Sequence, residues 1–377
     1  MACCGVFYAQ NPKKEVIIAE YESPEKAEFN LKTAKKALRL CELAGYPVSI
    51  SAELQKNNFE NTELFQYENL SKSDNKAGLV LSHKDNLLLV VIRGTRDEEW
   101  YSNFNIGEGY EHAGFGKASD LVIKNIKTYM KSHNLMYGNT DVFITGHSRG
   151  AAVANLTAAK LTDADEFASI EAYTFACPNT TTAENALNSK YDNILNIVNP
   201  QDFICYIPLS VWGYKRYGKT VELPKSNTAG DFYVLYSKMK KSYFDSTKKE
   251  LKDFPRKSQD VENIISYLGY LAPTPQDYYQ KEISVGSFRL TMYDYMMKLA
   301  AVMNNENPLL HGLFMLSCKS FPEVCPITDF VMGELSDINI DHPASITETP
   351  VVINHMPDAY FAWLDTLDET YFTQRLT

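Results

Sequence analysis

Residues 142–161 read VFITGHSRGAAVANLTAAKL, and this stretch constrains the fold more than any other. Its first four residues, apolar or β-branched, suit a buried strand. A glycine-bracketed turn follows at once, and small residues then run on as a helix would require. A strand entering a helix through one tight turn accounts for this order. Gly146 and Gly150 let the helix pass close to the strand, and Ser148 between them sits at the point of the turn. There a serine hydroxyl projects from the carboxyl edge of the sheet, and the first helical N–H groups face the atom it would attack. Ala151 and Ala152 keep the helix slim against the sheet. We read Ser148 as a nucleophile.

The surrounding chain supplies a sheet for this turn. Residues 78–95, GLVLSHKDNLLLVVIRGT, hold two strands, the second ending at Arg93-Gly94-Thr95. Residues 114–133 form an amphipathic helix, and 170–178 (IEAYTFACP) and 193–200 (NILNIVNP) are further strands. Alternating strands and helices predict an α/β fold with a mostly parallel, doubly wound sheet and helices on both faces. Upstream, Ser23-Pro24 opens a helix that Gly45 stops, with Leu31, Ala34, Leu38 and Cys41 on one face. The pattern changes after Pro224. Residues 225–340 are mainly helical and rich in Met and Tyr. One helix there, FRLTMYDYMMKLAAVM, places Met292, Tyr295, Met296, Leu299 and Met303 along one side. A strand, VVIN, a loop and a helix, DAYFAWLDTL, then return to the first pattern. We divide the chain into a first part of the α/β core with its N-terminal helix (1–224), a helical insertion acting as a lid or cap (225–340), and the rest of the core (341–377).

Charge and cysteine content narrow the function classes. The formal net charge is −10 over 377 residues, which excludes a general nucleic-acid binder, because phosphate binding needs a basic surface. The longest apolar runs are too short to span a membrane, and the N-terminus lacks the order of a signal peptide. Seven scattered cysteines do not form a disulfide framework. Together these place the chain in the cytoplasm with reduced thiols; a mature form that had already lost a signal would read the same. No motif calls for a metal or a cofactor. Within 238–257, eight Lys/Arg stand against three Asp/Glu beside Tyr243, Phe244 and Phe254, a stretch suited to peripheral contact with an anionic lipid surface. No obligate protein partner is inferred.

Several blocks together resemble the class 3 lipase family of α/β-hydrolases, the fungal triacylglycerol lipase type and its bacterial relatives. VVIRGT resembles the strand and turn that supply half of the oxyanion hole. HAGF, His112 to Phe115, resembles the H-x-G-F block, and ITGHSRGAAVA the nucleophile block, usually GHSLGGALA. YTFACPNT and NIVNPQDFICYIP resemble two later segments, the second holding the triad aspartate. The resemblance covers about residues 77–224 and 350–365 and implies an α/β-hydrolase fold. It makes Asp202 the triad acid. The triad order places the base after it, which leaves His311, His342 and His355. His355, in a loop before an aromatic-rich helix, occupies the setting of the family's histidine. The oxyanion donors implied are the backbone N–H groups of Thr95 and Arg149. Arg149 stands where the family usually has Leu, and puts a charge beside the site. His147, next to the nucleophile, is read as a loop support. The expected activity is that of a serine hydrolase cleaving carboxylic esters, lipase or esterase, on a lipid or small ester substrate. A phospholipase, thioesterase or amidase on the same triad is the alternative, and a non-catalytic binding module a more distant one.

Overall fold

The computed structural model describes residues 29–66, 77–96, 99–226, 231–251, 258–285, 288–303, 326 and 350–375. Helices α1 (Leu31–Leu43) and α2 (Pro47–Lys56) precede strands β1 (Glu60–Phe65), β2 (Leu79–Lys84) and β3 (Leu87–Ile92). Helices α3 (Glu99–Asn103) and α4 (Ala113–Ser132) lead to β4 (Asp141–His147), α5 (Arg149–Ala164), β5 (Ser169–Phe175), β6 (Ile194–Val198) and β7 (Lys219–Glu222). The seven strands stand side by side in sequence order. β1 to β3 pair antiparallel, and β3 to β7 run parallel.

Strand alternation sorts the core into two layers. Leu88, Val90 and Ile92 of β3, with Val142 and Ile144 of β4, face α4 and α5 through Phe115, Val122, Ile126, Ala152 and Leu156. Their neighbours Leu89, Val91 and Phe143 face the opposite way, towards α1. Right-handed crossovers between strands added in one direction put the connecting helices on one face. The other face is covered by α1 and by later helices, so the two faces draw on different parts of the chain.

The later elements are α6 (Phe232–Thr247), α7 (Ser258–Leu271), α8 (Pro275–Gln280), α9 (Met292–Met303), α10 (Pro350–His355), α11 (Pro357–Thr366) and α12 (Glu369–Thr373), with a hairpin of β8 (Glu282–Val285) and β9 (Phe288–Thr291) before α9; of these, α6, α11 and α12 join α1 in its layer. The segment 225–340 divides by packing. α6 buries Phe232, Tyr236, Met239 and Tyr243 with Trp363 in the α1 layer. α7, α8, β8 and α9 instead form an apolar cluster with Phe104, Phe203, Leu209 and Tyr214.

Three local expectations are corrected. α1 starts at Leu31 and does not run through Phe29 and Asn30, because the Asn30 side chain accepts a hydrogen bond from the Thr33 N–H at 2.8 Å and caps it; the expected start at Ser23 and Pro24 lies outside the described residues. Residues 288–303 do not form one helix. Thr291 and Asp294 cap each other reciprocally, Thr291 N–H to Oδ2 at 3.1 Å and Asp294 N–H to Oγ1 at 3.0 Å. That box starts the helix at Met292 and leaves Phe288–Thr291 as a strand. Met292, Tyr295 and Met296 are buried as expected, whereas the side chains of Leu299 and Met303 lie outside the described ones. Finally, VVIN is the body of a helix, α10, not a strand. Pro350 at its first position suits a helix start, and tertiary bonds to its carbonyls outweigh the weak β preference of four residues.

Trp363 joins α11 to α6. It is 1% exposed, with its ring 6.0 Å from Phe232 and 6.3 Å from Tyr236. Trp363→Ala should lower unfolding free energy by about 3–5 kcal/mol, read as a lower urea midpoint. An unchanged midpoint would mean that α6 is not held to the core in this way.

Candidate active site

The turn after β4 brings strand and helix into direct contact. Ser148 has φ 58° and ψ −127°, a strained left-handed backbone of the kind that recurs at functional sites. Its N–H donates to the Phe175 carbonyl on β5 at 2.9 Å. Both neighbouring glycines are required by space. A Cβ on Gly146 would lie 2.3 Å from the Gly150 carbonyl oxygen, and one on Gly150 would lie 2.2 Å from that of Ile92. The first turn of α5 is thus pressed against the end of β3, where residues 93–96 leave the sheet.

Ser148, His355 and Asp202 come together in a line. Ser148 Oγ is 2.7 Å from His355 Nε2, and His355 Nδ1 is 2.8 Å from Asp202 Oδ2. A carboxylate only accepts, so Nδ1 carries the proton and the Nε2 lone pair faces the serine hydroxyl. Asp202 is fully buried. It accepts also from the Ile204 N–H at 3.0 Å, the Tyr360 hydroxyl at 2.9 Å and the Cys205 thiol at 3.3 Å. Burial next to Asp202 holds the Tyr360 phenol and the Cys205 thiol well above their usual range, so both remain donors. His311 and His342, the other two histidines considered for the base, lie outside the described residues.

The short helix carrying His355 is pinned by its carbonyls. His147 Nε2–H donates to the His355 carbonyl at 2.7 Å, and the Asn199 side chain donates to that of Asn354 at 3.1 Å. His147 is thus a support, not a proton acceptor for Ser148. Burial first, and the His355 ring next, push its pKa down to about 3, so it remains neutral.

The loop after β3 is fixed from two sides. Arg93 and Glu99 form a buried ion pair at 3.0 Å, and Glu99 also accepts from the Arg96 N–H at 2.7 Å. Asn103 at the end of α3 donates from Nδ2 to Thr95 Oγ1 at 3.0 Å and accepts from Arg149 Nη1 at 2.8 Å. His112 caps α4 and donates from Nε2 to the Asn103 carbonyl at 3.1 Å. Burial, with the Arg149 charge adding to it, pushes the His112 pKa down to about 3.

Beside this constellation lies an apolar pocket. Ser148, Arg149, His355 and Asn103 line its polar end; Trp100, Phe104, Phe115, Ile204, Leu209 and Trp212 line the body. Leu268 of α7, Tyr278 of α8 and Met292 and Met296 of α9 complete the wall. Asp202 and Thr95 are not part of the lining; Asp202 is bonded to His355 and Thr95 to Asn103, which are. Among the described residues no cluster of three or more His, Cys, Asp or Glu could hold a metal ion, and no described helix is long and apolar enough to cross a membrane.

Sequence reasoning did not single out Tyr360, Cys205, Asn103 or Glu99. Their roles depend on which segments meet in space. For Tyr360 a weak signal was available, an aromatic soon after the histidine.

Residues 88–212 match the model of the class 3 lipase family, a span from β3 through the Asp202 turn. No curated relative matches the chain in sequence. Solved structures similar to it include a fungal lipase–inhibitor complex, at 16% identity over 52% of this chain and 81% of that one, TM-score 0.42. Rhizomucor miehei triacylglyceride lipase matches at 18% identity over 51% and 78%, TM-score 0.38. Yarrowia lipolytica Lip2 lipase matches at 16% identity over 54% and 83%, TM-score 0.38.

The two buried neutral histidines set an acid limit on stability. Once unfolded, each binds a proton below about pH 6.5; in the native protein each stays neutral down to about 3. The unfolded state therefore holds more protons between those values, and stability falls as pH falls through that window. Each histidine contributes a slope of about 1.4 kcal/mol per pH unit. In His147→Gln, unfolding free energy measured from about pH 6 to about pH 4 should fall less steeply than in wild type; equal slopes would show that His147 is not held neutral.

Proposed function

We propose that this chain, a serine ester hydrolase built on the class 3 lipase core, cleaves acyl esters of lipids through Ser148, His355 and Asp202. The observation that carries this reading is the hydrogen-bonded line from Ser148 Oγ to His355 to the buried Asp202, ending at an apolar pocket. His355 takes the serine proton as Oγ attacks the ester carbonyl. Asp202 holds the ring in the required tautomer and stabilises its charged form. The backbone N–H groups of Arg149 and Thr95 receive the oxyanion. His355 then protonates the leaving alcohol, and water, deprotonated by the same ring, releases the acid from the acyl-serine.

The pocket lining supports an acyl substrate, since aromatic, branched and Met side chains fit a flexible chain. α7, α8 and α9 are read as the lid, because they wall the pocket without entering the sheet. Exposed Tyr233, Val234 and Phe244 on α6, together with Lys238, Lys240 and Lys241, support peripheral contact with an anionic lipid surface. Free buried Cys41, Cys177 and Cys205 support a reducing, cytoplasmic setting.

A fluorophosphonate probe should label the wild type and leave Ser148→Ala unlabelled, with p-nitrophenyl ester hydrolysis falling by about 10⁴-fold or more in Ser148→Ala and His355→Ala. Full activity in Ser148→Ala would sink the reading. A panel running from acetyl to lauroyl esters, with glyceride, phospholipid, thioester and amide members, separates lipase from the alternatives. Rising kcat/KM with acyl length on carboxylic esters is the expected outcome.

A further inference from the structure

We infer that the Arg149 side chain is a positioning residue, which holds the Thr95 half of the oxyanion hole in place through Asn103. The inference rests on the Ser148 reading and goes beyond it, since that reading uses only the Arg149 backbone. Arg149 is 1% exposed and lines the pocket beside Ser148. A buried guanidinium needs partners, because its desolvation is costly. It lies 5.6 Å from the centre of the Phe115 ring and donates from Nη1 to Asn103 Oδ1 at 2.8 Å.

That bond decides which way the Asn103 amide points. A guanidinium has donors only, so the amide oxygen must face Arg149. The amide nitrogen must then face Thr95, where it donates to Oγ1 at 3.0 Å. A hydroxyl oxygen that accepts from Asn103 leaves its own proton to be donated elsewhere. The Asn103 backbone is fixed separately by His112 Nε2–H, so the side chain pivots on a held point. The result is a relay from Arg149 through Asn103 to Thr95. It joins the two donor-bearing segments, the α5 N-terminus and the loop after β3, through side chains of α5 and α3. Through it the position of the loop carrying the Thr95 N–H is set by the same helix start that carries the Arg149 N–H.

Steady-state hydrolysis of a soluble p-nitrophenyl ester, with Ki for an alkyl boronic acid as tetrahedral mimic, tests this. Arg149→Met should lower kcat by about 10- to 100-fold and weaken the boronic acid in parallel, with KM changed less than about twofold. Asn103→Ala should do the same, and the double variant should be no worse than either, as members of one relay. Arg149→Lys should recover part of kcat. Stoichiometric fluorophosphonate labelling of each variant marks folded protein with Ser148 competent; its absence from the wild type would defeat the Ser148 reading and not the relay. Should Arg149→Met fail to fold, Thr95→Val decides. It keeps the Thr95 backbone N–H and removes the hydroxyl that accepts from Asn103. An unchanged melting temperature with lowered kcat supports the relay, and wild-type kcat overturns it. Wild-type kcat in Arg149→Met, or losses that multiply in the double variant, would overturn it equally.

Discussion

The close approach of the first turn of α5 to the ends of β3 and β4 is the contact on which the site depends. No side chain fits at Gly146 or Gly150, since a Cβ at either would fall well inside the contact distance of a backbone oxygen. This allows Ser148 to hold its strained backbone, because the surrounding contacts over-determine it. It also places the N–H groups of the helix start beside the loop that carries Thr95. The parallel register then brings the other strand ends level. Ile92 pairs with Gly146, His147 with Phe175, and Phe175 with Ile197. The loops that follow β3, β4 and β6 therefore open on one edge of the sheet, where sites of open parallel sheets lie.

Around that contact, buried polar groups fix segments that are distant in sequence. His355 reaches the serine from the end of a short helix. Hydrogen bonds to the carbonyls of Asn354 and His355 hold that end in place. The Tyr360 hydroxyl accepts from the Asn199 N–H and donates to Asp202, so α11 is registered against the end of β6 by the same group that serves the triad acid. Arg216 adds a tie behind the site, donating to the Cys177 carbonyl at 2.7 Å and to the Cys205 carbonyl. Such networks rigidify a site when every member is satisfied.

The parts legible in the sequence were those set by local geometry. The strand, the elbow and the slim helix around Ser148 are written in consecutive residues, and so is the buried run of β3. That Asp202 and His355 line up with Ser148 was within reach because a triad would fix their order along the chain, although the VVIN strand before His355 is in fact a helix. That misreading has a physical source. Three β-branched residues carry only a weak preference, and a proline at the head together with tertiary bonds decides against it. β1 and β7 passed unnoticed for a related reason. They are edge strands with mixed exposure, so neither carries the continuous apolar run that marked the centre of the sheet. Asn103 and Glu99 were out of reach, because nothing local says that α3 docks against both the loop after β3 and the start of α5.

Charge at the site is arranged by subtraction as well as by placement. His112 and His147 are buried and neutral, so neither adds a positive charge that would oppose protonation of His355. The guanidinium of Arg149 remains, at the polar end of a pocket whose walls are otherwise largely apolar. Burying a guanidinium there is costly unless it is paired. Its hydrogen bond to Asn103 Oδ1 and its place over the Phe115 ring offset part of that cost, and they tie the start of α5 to α3.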